Sequence, residues 1–282
     1  MPTAVAPSSD ENVLYAMVGS QYVAKVLAAL DACAVPYRVV EVDILKLKQA
    51  LQPPHTVPQM WWKGELITDS ADILNAIDRD VPNAPFKLYP PAKKAAVQEL
   101  EQHVGTILNA YIIYFTWWVQ EGFEASYEKK MFERYWPLPS FLSKILISMA
   151  FDVGRLRGSM RKRVRGTLGE ALIPPGRDPA PEELPNMRAS LVEQLRTLEG
   201  KLADDAQQYL CGTDSPTAAD FAVYGMLERL VGSTGDAEMG VATPWLWGEA
   251  KVPRLQAWHA RMVEGYPVRF KNKTGACKVW AK

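Results

Sequence analysis

The stretch "VLYAMVGSQYVAKVLAALD" (Val13–Asp31) decides the fold expected for this chain. It opens with an apolar run of strand length, which is typical of a strand buried on both faces. After Gly19 and Ser20, apolar residues recur at helical spacing and form one stripe: Val23, Val26, Leu27 and Leu30. The pattern predicts a strand, a turn and a helix. Ser20, at the joint, is then either a helix cap or a residue of a reactive site.

The following segments extend this unit into a mixed sheet. "YRVVEVDI" alternates apolar and polar residues, which predicts a second, parallel strand. "QMWW" and "ELI", joined by Lys63 and Gly64, read as an antiparallel hairpin, and Asp69 and Ser70 precede a further helical pattern. The order β-α-β then β-β-α predicts a four-stranded α/β domain of the thioredoxin-like type over residues 13–80.

The rest of the chain is expected to be helical. Residues 1–12 have the composition of a flexible N-terminus, and the prolines in residues 81–91 indicate a linker. Residues 92–282 lack convincing alternation and predict an all-α domain. A proline-rich loop at residues 172–185 interrupts its helices.

Composition excludes several classes of function. Lys plus Arg and Asp plus Glu number 32 each, so overall charge gives no reason to expect a nucleic-acid partner. Apolar residues reach 48% without a run long enough to span a membrane, and no secretory signal is recognisable. The spacings of the three cysteines and three histidines predict neither a disulfide framework nor a metal site. We expect a soluble protein of the cytoplasm or another reducing compartment.

Two short motifs could bind a ligand. If the Val57–Pro58 bond is cis, the backbone N–H and C=O of Val57 are turned outward and can pair with an extended peptide; the alternative is an ordinary trans proline that begins a strand. Asp69 and Ser70 begin a helix, where free N–H groups and the dipole favour a carboxylate while an Asp can pair with an ammonium group. The alternative there is simple helix capping.

A third motif is structural. In "SPTAADFAVYGMLERL", Thr217 and Asp220 have the spacing of a capping box, which predicts a well-defined start for a buried helix.

Together these pieces resemble the glutathione S-transferase superfamily. The resemblance rests on "GSQYVAKVLAALDACAVPYRVVEVD", "TVPQM", "ITDSADIL" and "YLCGTDSPTAADFAVYGMLERL", which cover most of residues 13–80 and about 205–232. Within the superfamily, "VPYRVVEVD" and "PTAADFAVYGMLERL" look most like the soluble part of membrane-associated prostaglandin E synthase type 2. The wider group of eukaryotic transferase-like proteins with an enlarged helical domain is also similar.

The resemblance implies a glutathione site and a role for each of its residues. Ser20 would donate a hydrogen bond to the glutathione sulfur and stabilise the thiolate. Val57 would bind the cysteinyl backbone with Pro58 cis, while Asp69 and Ser70 would hold the γ-glutamyl end. It also implies a homodimer and glutathione as the co-substrate.

The turn departs from the Cys-x-x-Cys pattern of the prostaglandin synthase and the glutaredoxins, because it reads Ser20-Gln21-Tyr22-Val23. Without a cysteine there, a mixed disulfide cannot form at this position, and Cys33 lies more than three helical turns away. This argues against thiol-transferase chemistry. Tyr15 and Tyr22 are alternatives to Ser20 for the sulfur contact.

The helical domain offers candidates for the electrophile site and for a surface contact. The aromatic residues Tyr111, Tyr114, Phe115 and Trp118 either line an acceptor pocket or form plain core. The apolar stretch at residues 138–151 is followed by a basic run, Arg155–Arg165, which is either a contact for an anionic membrane or a protein, or a solvated helix face.

Three functions are therefore open. The first is a glutathione-dependent transferase or isomerase acting on a hydrophobic electrophile. The second is a non-catalytic subunit of a larger assembly that keeps the transferase fold. The third is a membrane-peripheral isomerase like the prostaglandin synthase.

Overall fold

A computed structural model describes residues 11–42, 47–119, 156–175, 181–202, 208–232 and 243–268. The chain divides into two compact units. The first consists of the described residues among 1–101, 207–225 and 259–282, and the second of those among 102–206 and 226–258.

The first unit contains the predicted four-stranded mixed sheet. Its strands are β1 (Val13–Ala16), β2 (Arg38–Glu41), β3 (Gln59–Trp62) and β4 (Glu65–Ile67), in the spatial order β2-β1-β3-β4. Strand β1 pairs in parallel with β2 and antiparallel with β3, and β3 pairs antiparallel with β4. All four residues of β1 are buried, as expected for a strand in the middle of a sheet.

Three helices belong to this sheet: α1 (Gln21–Ala32), α2 (Leu47–Ala50) and α3 (Ser70–Asp80). Helices α1 and α3 pack against each other. The apolar stripe predicted for α1 is buried, with Val23, Val26 and Leu30 each 0% exposed. The thioredoxin-like architecture predicted from the pattern is confirmed.

The hairpin between β3 and β4 has the predicted turn. Trp62 and Glu65 are paired across the two strands, so Lys63 and Gly64 form a two-residue connection. Both have positive φ, 49° for Lys63 and 87° for Gly64. Two consecutive residues in this region define the turn type whose twist matches that of a hairpin, and glycine adopts it without steric cost.

The remaining described elements are helical, as predicted. They are α4 (Lys94–Trp118), α5 (Leu156–Leu168), α6 (Leu184–Gly200), α7 (Ala218–Leu230), α8 (Leu246–Ala250) and α9 (Pro253–Gly265), with short 3₁₀ turns at Pro91–Lys93 and Pro181–Glu183. Three of the four boundaries between the compact units fall inside helices, namely α4, α7 and α9. Parts of these three helices thus belong to the sheet-containing unit, and the domain boundary at residue 92 stays a prediction.

The start of α7 contains the hydrogen bond from the Thr217 N–H to the Asp220 carboxylate that a capping box requires. The fully buried Asp220 carboxylate accepts from the N–H and the hydroxyl of Thr217, both at 2.8 Å, and from the N–H of Leu210 at 2.9 Å. The segment is also tied to the linker, since Ala218 N–H donates to the carbonyl of Leu88. A single carboxylate thus fixes both the helix start and the loop before it.

Some sequence predictions lie outside the described residues. These are the first ten residues, the apolar stretch at 138–151, Arg155, residues 176–180 of the proline-rich loop, and Cys277.

Candidate functional site

The topology brings the predicted site residues to one edge of the sheet. Ser20 follows the carboxyl end of β1, and Asp69 and Ser70 follow the carboxyl end of β4, which runs parallel to β1. Val57 and Pro58 precede β3, which runs in the opposite direction, so they lie at the same edge. Three connections from three adjacent strands therefore meet where α1 and α3 begin.

Ser20 is the N-cap of α1. Its backbone is extended and its hydroxyl oxygen accepts from Val23 N–H at 3.4 Å, while the side chain is largely buried. A hydroxyl has one proton and two lone pairs, and capping uses only a lone pair. The Ser20 hydroxyl can therefore cap the helix and donate its proton to a ligand at the same time.

Val57 lies just before β3 at half-buried exposure, and its peptide bond to Pro58 is cis in the structure. Within the described part of the chain, the N–H and C=O of Val57 make no hydrogen bond. Its backbone groups can pair with a ligand.

Asp69 caps α3 with one of its two carboxylate oxygens. Oδ1 accepts from Ala71 N–H at 2.7 Å and from Asp72 N–H at 3.4 Å. Oδ2 accepts no hydrogen bond from any residue that the structure describes, and the side chain is exposed. Oδ1 of Asp69 therefore caps the helix, while Oδ2 can bind a cation.

Ser70, the first residue of α3, belongs to a buried polar network. Its hydroxyl oxygen accepts from Lys25 Nζ at 3.2 Å, and Lys25 Nζ lies 2.6 Å from Glu101 Oε1. The Tyr89 hydroxyl donates to the Glu101 carboxylate at 2.9 Å and 3.1 Å. Exposure is only 3% for Lys25, 6% for Ser70 and 7% for Glu101. The network joins α1, α3, the linker and the first turns of α4.

The two tyrosine alternatives occupy different surroundings. Tyr15 is 8% exposed and packs in an apolar cluster with Val13, Val42 and Leu51 on one face of the sheet. Tyr22 is half-buried in the first turn of α1. Of the three candidates, Ser20 alone has its hydroxyl at the N-cap, where the helix dipole favours an anion.

The aromatic residues proposed for an acceptor pocket are mostly core of the second unit. Tyr111 and Tyr114 are 2% exposed and Phe115 is 0% exposed. The Tyr111 hydroxyl lies 2.6 Å from Ser190 Oγ, and burial raises the pKa of Tyr114 to about 12. Trp118 is the half-buried member of this set, and its ring centroid lies 6.2 Å from that of Tyr114.

Metal-ligating side chains and thiols are two further kinds of group that could carry chemistry in the described part of the chain. The described segments contain no group of three or more His, Cys, Asp or Glu side chains able to hold a metal ion. Cys33 caps the C-terminus of α1 and is 2% exposed, and burial raises the pKa of its thiol to about 11. A neutral, buried thiol is a poor nucleophile.

No described helix combines the length and apolarity that crossing a membrane requires. In the described part of the basic run, Lys162 and Arg163 on α5 are exposed, while Val164 between them and Arg165 is buried. This part of the run is a helix with one buried position and an exposed basic face.

Sequence reasoning missed the network around Ser70. A lysine inside the apolar stretch "VAKVLAAL" was the one local signal, because a buried lysine needs a partner. Nothing local indicates that Glu101 is that partner. It also missed Gly225 of α7, whose backbone lies against the first turn of α1 at Gln21 and Lys25.

Solved structures with this fold include several glutathione transferases. The β-etherase LigF from Sphingobium sp. strain SYK-6 aligns with a TM-score of 0.57 at 19% identity, over 89% of this chain and 94% of that one. The tau-class glutathione S-transferase from mango gives 0.56 at 14% identity, over 94% and 96%. The epsilon-class enzyme from housefly gives 0.52 at 21% identity, over 90% and 88%. At these identities the likeness shows the fold. Curated protein sequences give no match.

Family models identify both halves of the fold in the sequence itself. Residues 14–85 match the model described as glutathione S-transferase, N-terminal domain, and residues 181–261 match glutathione S-transferase, C-terminal domain. The two matches come in the order expected for the family and together span more than half of the chain. The chain belongs to the glutathione S-transferase superfamily.

Proposed function

We propose that this chain binds glutathione at the sheet edge of Ser20, Val57, Asp69 and Ser70, and activates its thiol for reaction with a hydrophobic electrophile. One observation carries the proposal. Ser20 caps α1 through a lone pair, 3.4 Å from Val23 N–H, and keeps its hydroxyl proton for a ligand. A proton donor at a helix N-terminus stabilises an anion, and the anion in this case is the glutathione thiolate.

The other residues of the edge fit the rest of glutathione. The backbone of Val57, without a hydrogen-bond partner in the described residues, can pair with the cysteinyl backbone. Oδ2 of Asp69 can accept from the γ-glutamyl ammonium group, because only Oδ1 is used in capping. The Ser70 hydroxyl can donate to the γ-glutamyl carboxylate. The edge thus offers an acceptor for the ammonium group and a donor for the carboxylate of the γ-glutamyl end.

Ser20 does not attack the substrate. Its hydrogen bond to the sulfur, together with the positive end of α1, lowers the pKa of the bound thiol, so that the thiolate is present near neutral pH. The thiolate then attacks the electrophile, in a transfer or an isomerisation. We propose that Trp118, the half-buried member of the aromatic set, contacts this electrophile, and that the protein acts as a homodimer.

The proposal is tested by ultraviolet titration of the thiolate of glutathione bound to the wild-type protein, Ser20→Ala and Tyr15→Phe. We expect the thiol of glutathione bound to the wild type and to Tyr15→Phe to titrate well below the free thiol. In Ser20→Ala it should titrate much nearer to the free value, because only the positive end of α1 still favours the thiolate. If the thiol bound to the wild-type protein titrates as in solution, the catalytic proposal fails.

Two alternatives differ in measurable ways. A non-catalytic subunit of a larger assembly is not retained on immobilised glutathione, whereas the transferase is. The exposed basic face of α5, with Lys162 and Arg163, favours the membrane-peripheral isomerase as the second candidate. Flotation with anionic liposomes separates that isomerase from a transferase that does not bind membranes.

A further inference from the structure

We infer that Lys25 is a positioning residue that fixes the Ser70 hydroxyl as a hydrogen-bond donor toward a carboxylate. The inference rests on the proposed function, because the carboxylate is that of the γ-glutamyl group. It concerns a residue to which the family resemblance gives no role, and it explains why a charged side chain lies buried on the apolar face of α1.

Whether the Ser70 hydroxyl donates or accepts follows from the one hydrogen bond that it makes within the described part of the chain. A lysine ammonium group can only donate, so in the 3.2 Å contact Ser70 Oγ must accept from Lys25 Nζ. The hydroxyl proton is then directed away from Lys25. Among the described residues no acceptor takes this proton. Ser70 is thereby set to donate outward, which suits an anionic acceptor and not a second donor.

Lys25 is itself held in place by a second contact, with Glu101. Glu101 Oε1 lies 2.6 Å from Lys25 Nζ and neutralises the buried charge, while the Tyr89 hydroxyl donates to both carboxylate oxygens of Glu101. A buried carboxylate fixed by two partners restricts where the ammonium group can lie. The network therefore presents one defined donor geometry at the N-terminus of α3 before any ligand arrives.

The position of Lys25 also relates the two serines of the site. Lys25 comes five residues after Ser20 on α1, about 7.5 Å along the helix axis. Its contact with Ser70 joins the start of α3 to the helix that carries the sulfur-binding residue. Ser20 and Ser70 are alike in accepting from the protein, and each keeps a proton for the ligand.

The experiment is a double-mutant cycle on glutathione affinity, measured by calorimetry at pH 7. Lys25→Met alone would leave the Glu101 carboxylate buried without its cation, so the cycle uses Lys25→Met with Glu101→Gln, which keeps an acceptor for Tyr89. The second arm is Ser70→Ala, and the third combines all three changes. Thermal unfolding checks that each protein is folded. If Lys25→Met with Glu101→Gln does not fold, an apolar variant takes its place, in which Lys25→Met is combined with Glu101→Leu and Tyr89→Phe.

We expect Ser70→Ala to raise the Kd for glutathione about tenfold, because a hydrogen bond to a charged group is lost. Lys25→Met with Glu101→Gln should raise the Kd about fivefold. The Kd of the protein that combines all three changes should lie within about twofold of that of Ser70→Ala, because Lys25 acts through Ser70. In steady-state kinetics, Lys25→Met with Glu101→Gln should raise the KM for glutathione, while its kcat at saturating glutathione should equal that of the wild type.

A matched control is Tyr89→Phe, which removes the hydrogen bonds of the Tyr89 hydroxyl to Glu101 and, at 3.4 Å, to the Ala71 carbonyl, but changes neither Lys25 nor Ser70. It should lower the unfolding temperature yet keep the Kd within about twofold of wild type, because the contact of Lys25 with Ser70 persists. Effects that multiply in the combined protein, or an unchanged Kd in the neutral pair, would overturn the inference and leave the proposed function intact. A wild-type protein that does not bind glutathione overturns both.

Discussion

The backbone of Gly225 in α7 lies so close to the first turn of α1 that a Cβ at Gly225 would overlap the carbonyl oxygen of Gln21. The same Cβ would lie 2.9 Å from the backbone N of Lys25. Backbone atoms cannot move aside as a flexible side chain does. Glycine is therefore required at this position, and the contact lies directly beside the residues proposed to bind glutathione.

Gly225→Ala should displace the first turn of α1 and with it the Ser20 hydroxyl. We expect a loss of about 1–3 kcal/mol in the free energy of unfolding, as for overpacking of a core, together with a lower kcat/KM for glutathione. Urea unfolding and steady-state kinetics measure the two effects. The matched control is Gly166→Ala in α5, where a Cβ meets nothing within 4 Å, and there helix propensity predicts a gain of up to about 1 kcal/mol. Equal changes in the free energy of unfolding for Gly225→Ala and Gly166→Ala would contradict the packing argument.

Substitutions at Ser20 can separate helix capping from the chemistry proposed for its hydroxyl. Ser20→Ala should cost about 1 kcal/mol of unfolding free energy, whereas Ser20→Gly should cost only a few tenths, because glycine is tolerated at an N-cap. Both lack the hydroxyl, so both should lose the lowered pKa of bound glutathione and fall in kcat to a similar extent. Calorimetric unfolding and turnover are the two readouts. Activity that follows stability, with Ser20→Gly nearly as active as the wild type, would assign Ser20 to capping alone.

How much of this site could be predicted from the sequence depends on how local the interactions are. The turn at Lys63 and Gly64 and the capping box of Thr217 and Asp220 involve residues one to three positions apart, and short patterns predicted both. The meeting of Ser20, Val57 and Asp69 at one edge of the sheet depends on the strand order, because parallel and antiparallel pairing fix which strand ends meet.

The contacts that were not predicted join residues distant in the chain. Lys25 pairs with Glu101, and Gly225 packs on Gln21, and no local pattern relates these positions. The aromatic spacing at Tyr111 and Phe115 was ambiguous for another reason. A helix face buried in the core and one that lines a pocket have the same period, and only the burial of the side chains distinguishes them.

Asp220 should be among the most sensitive positions of the first unit. Asp220→Ala removes the acceptor of three hydrogen bonds, and two of the orphaned donors are backbone N–H groups. We expect a loss of about 3 kcal/mol or more in the free energy of unfolding, measured in urea. The control is Glu193→Ala, which removes an exposed ion pair with Arg196 at 3.6 Å and should cost less than about 0.5 kcal/mol. A loss below about 1 kcal/mol for Asp220→Ala would refute the dual role given to its carboxylate.

Tyr111 and Trp118 should respond differently because one is core and the other is half-buried. Tyr111→Phe removes the hydroxyl that lies 2.6 Å from Ser190 Oγ, so we expect about 1 kcal/mol lower stability and an unchanged KM for the electrophile. Trp118→Ala should raise that KM. Kinetics with a hydrophobic electrophile at saturating glutathione measure both. A raised KM in Tyr111→Phe would return this residue to the acceptor site.

The burial of Cys33 should make the stability of the protein fall as pH rises above about 9. Burial, with a smaller effect from Asp78, raises the pKa of the folded thiol from 9.0 to about 11. Below pH 9 the thiol is protonated in both states and the contribution of Cys33 to stability is fully present. Between about pH 9 and pH 11 the unfolded chain loses this proton first, so the contribution falls as pH rises.

The comparison with Cys33→Ala isolates this effect from the titration of other groups. The variant should be less stable by a constant amount below pH 9, because it leaves a small cavity in the core. Above pH 9 the difference between the two proteins should shrink, because only the wild type loses stability through this thiol. Urea unfolding of both proteins from pH 8 to about pH 11 measures it. A difference that stays constant across this range would mean that the thiol is not shielded from water in the folded protein.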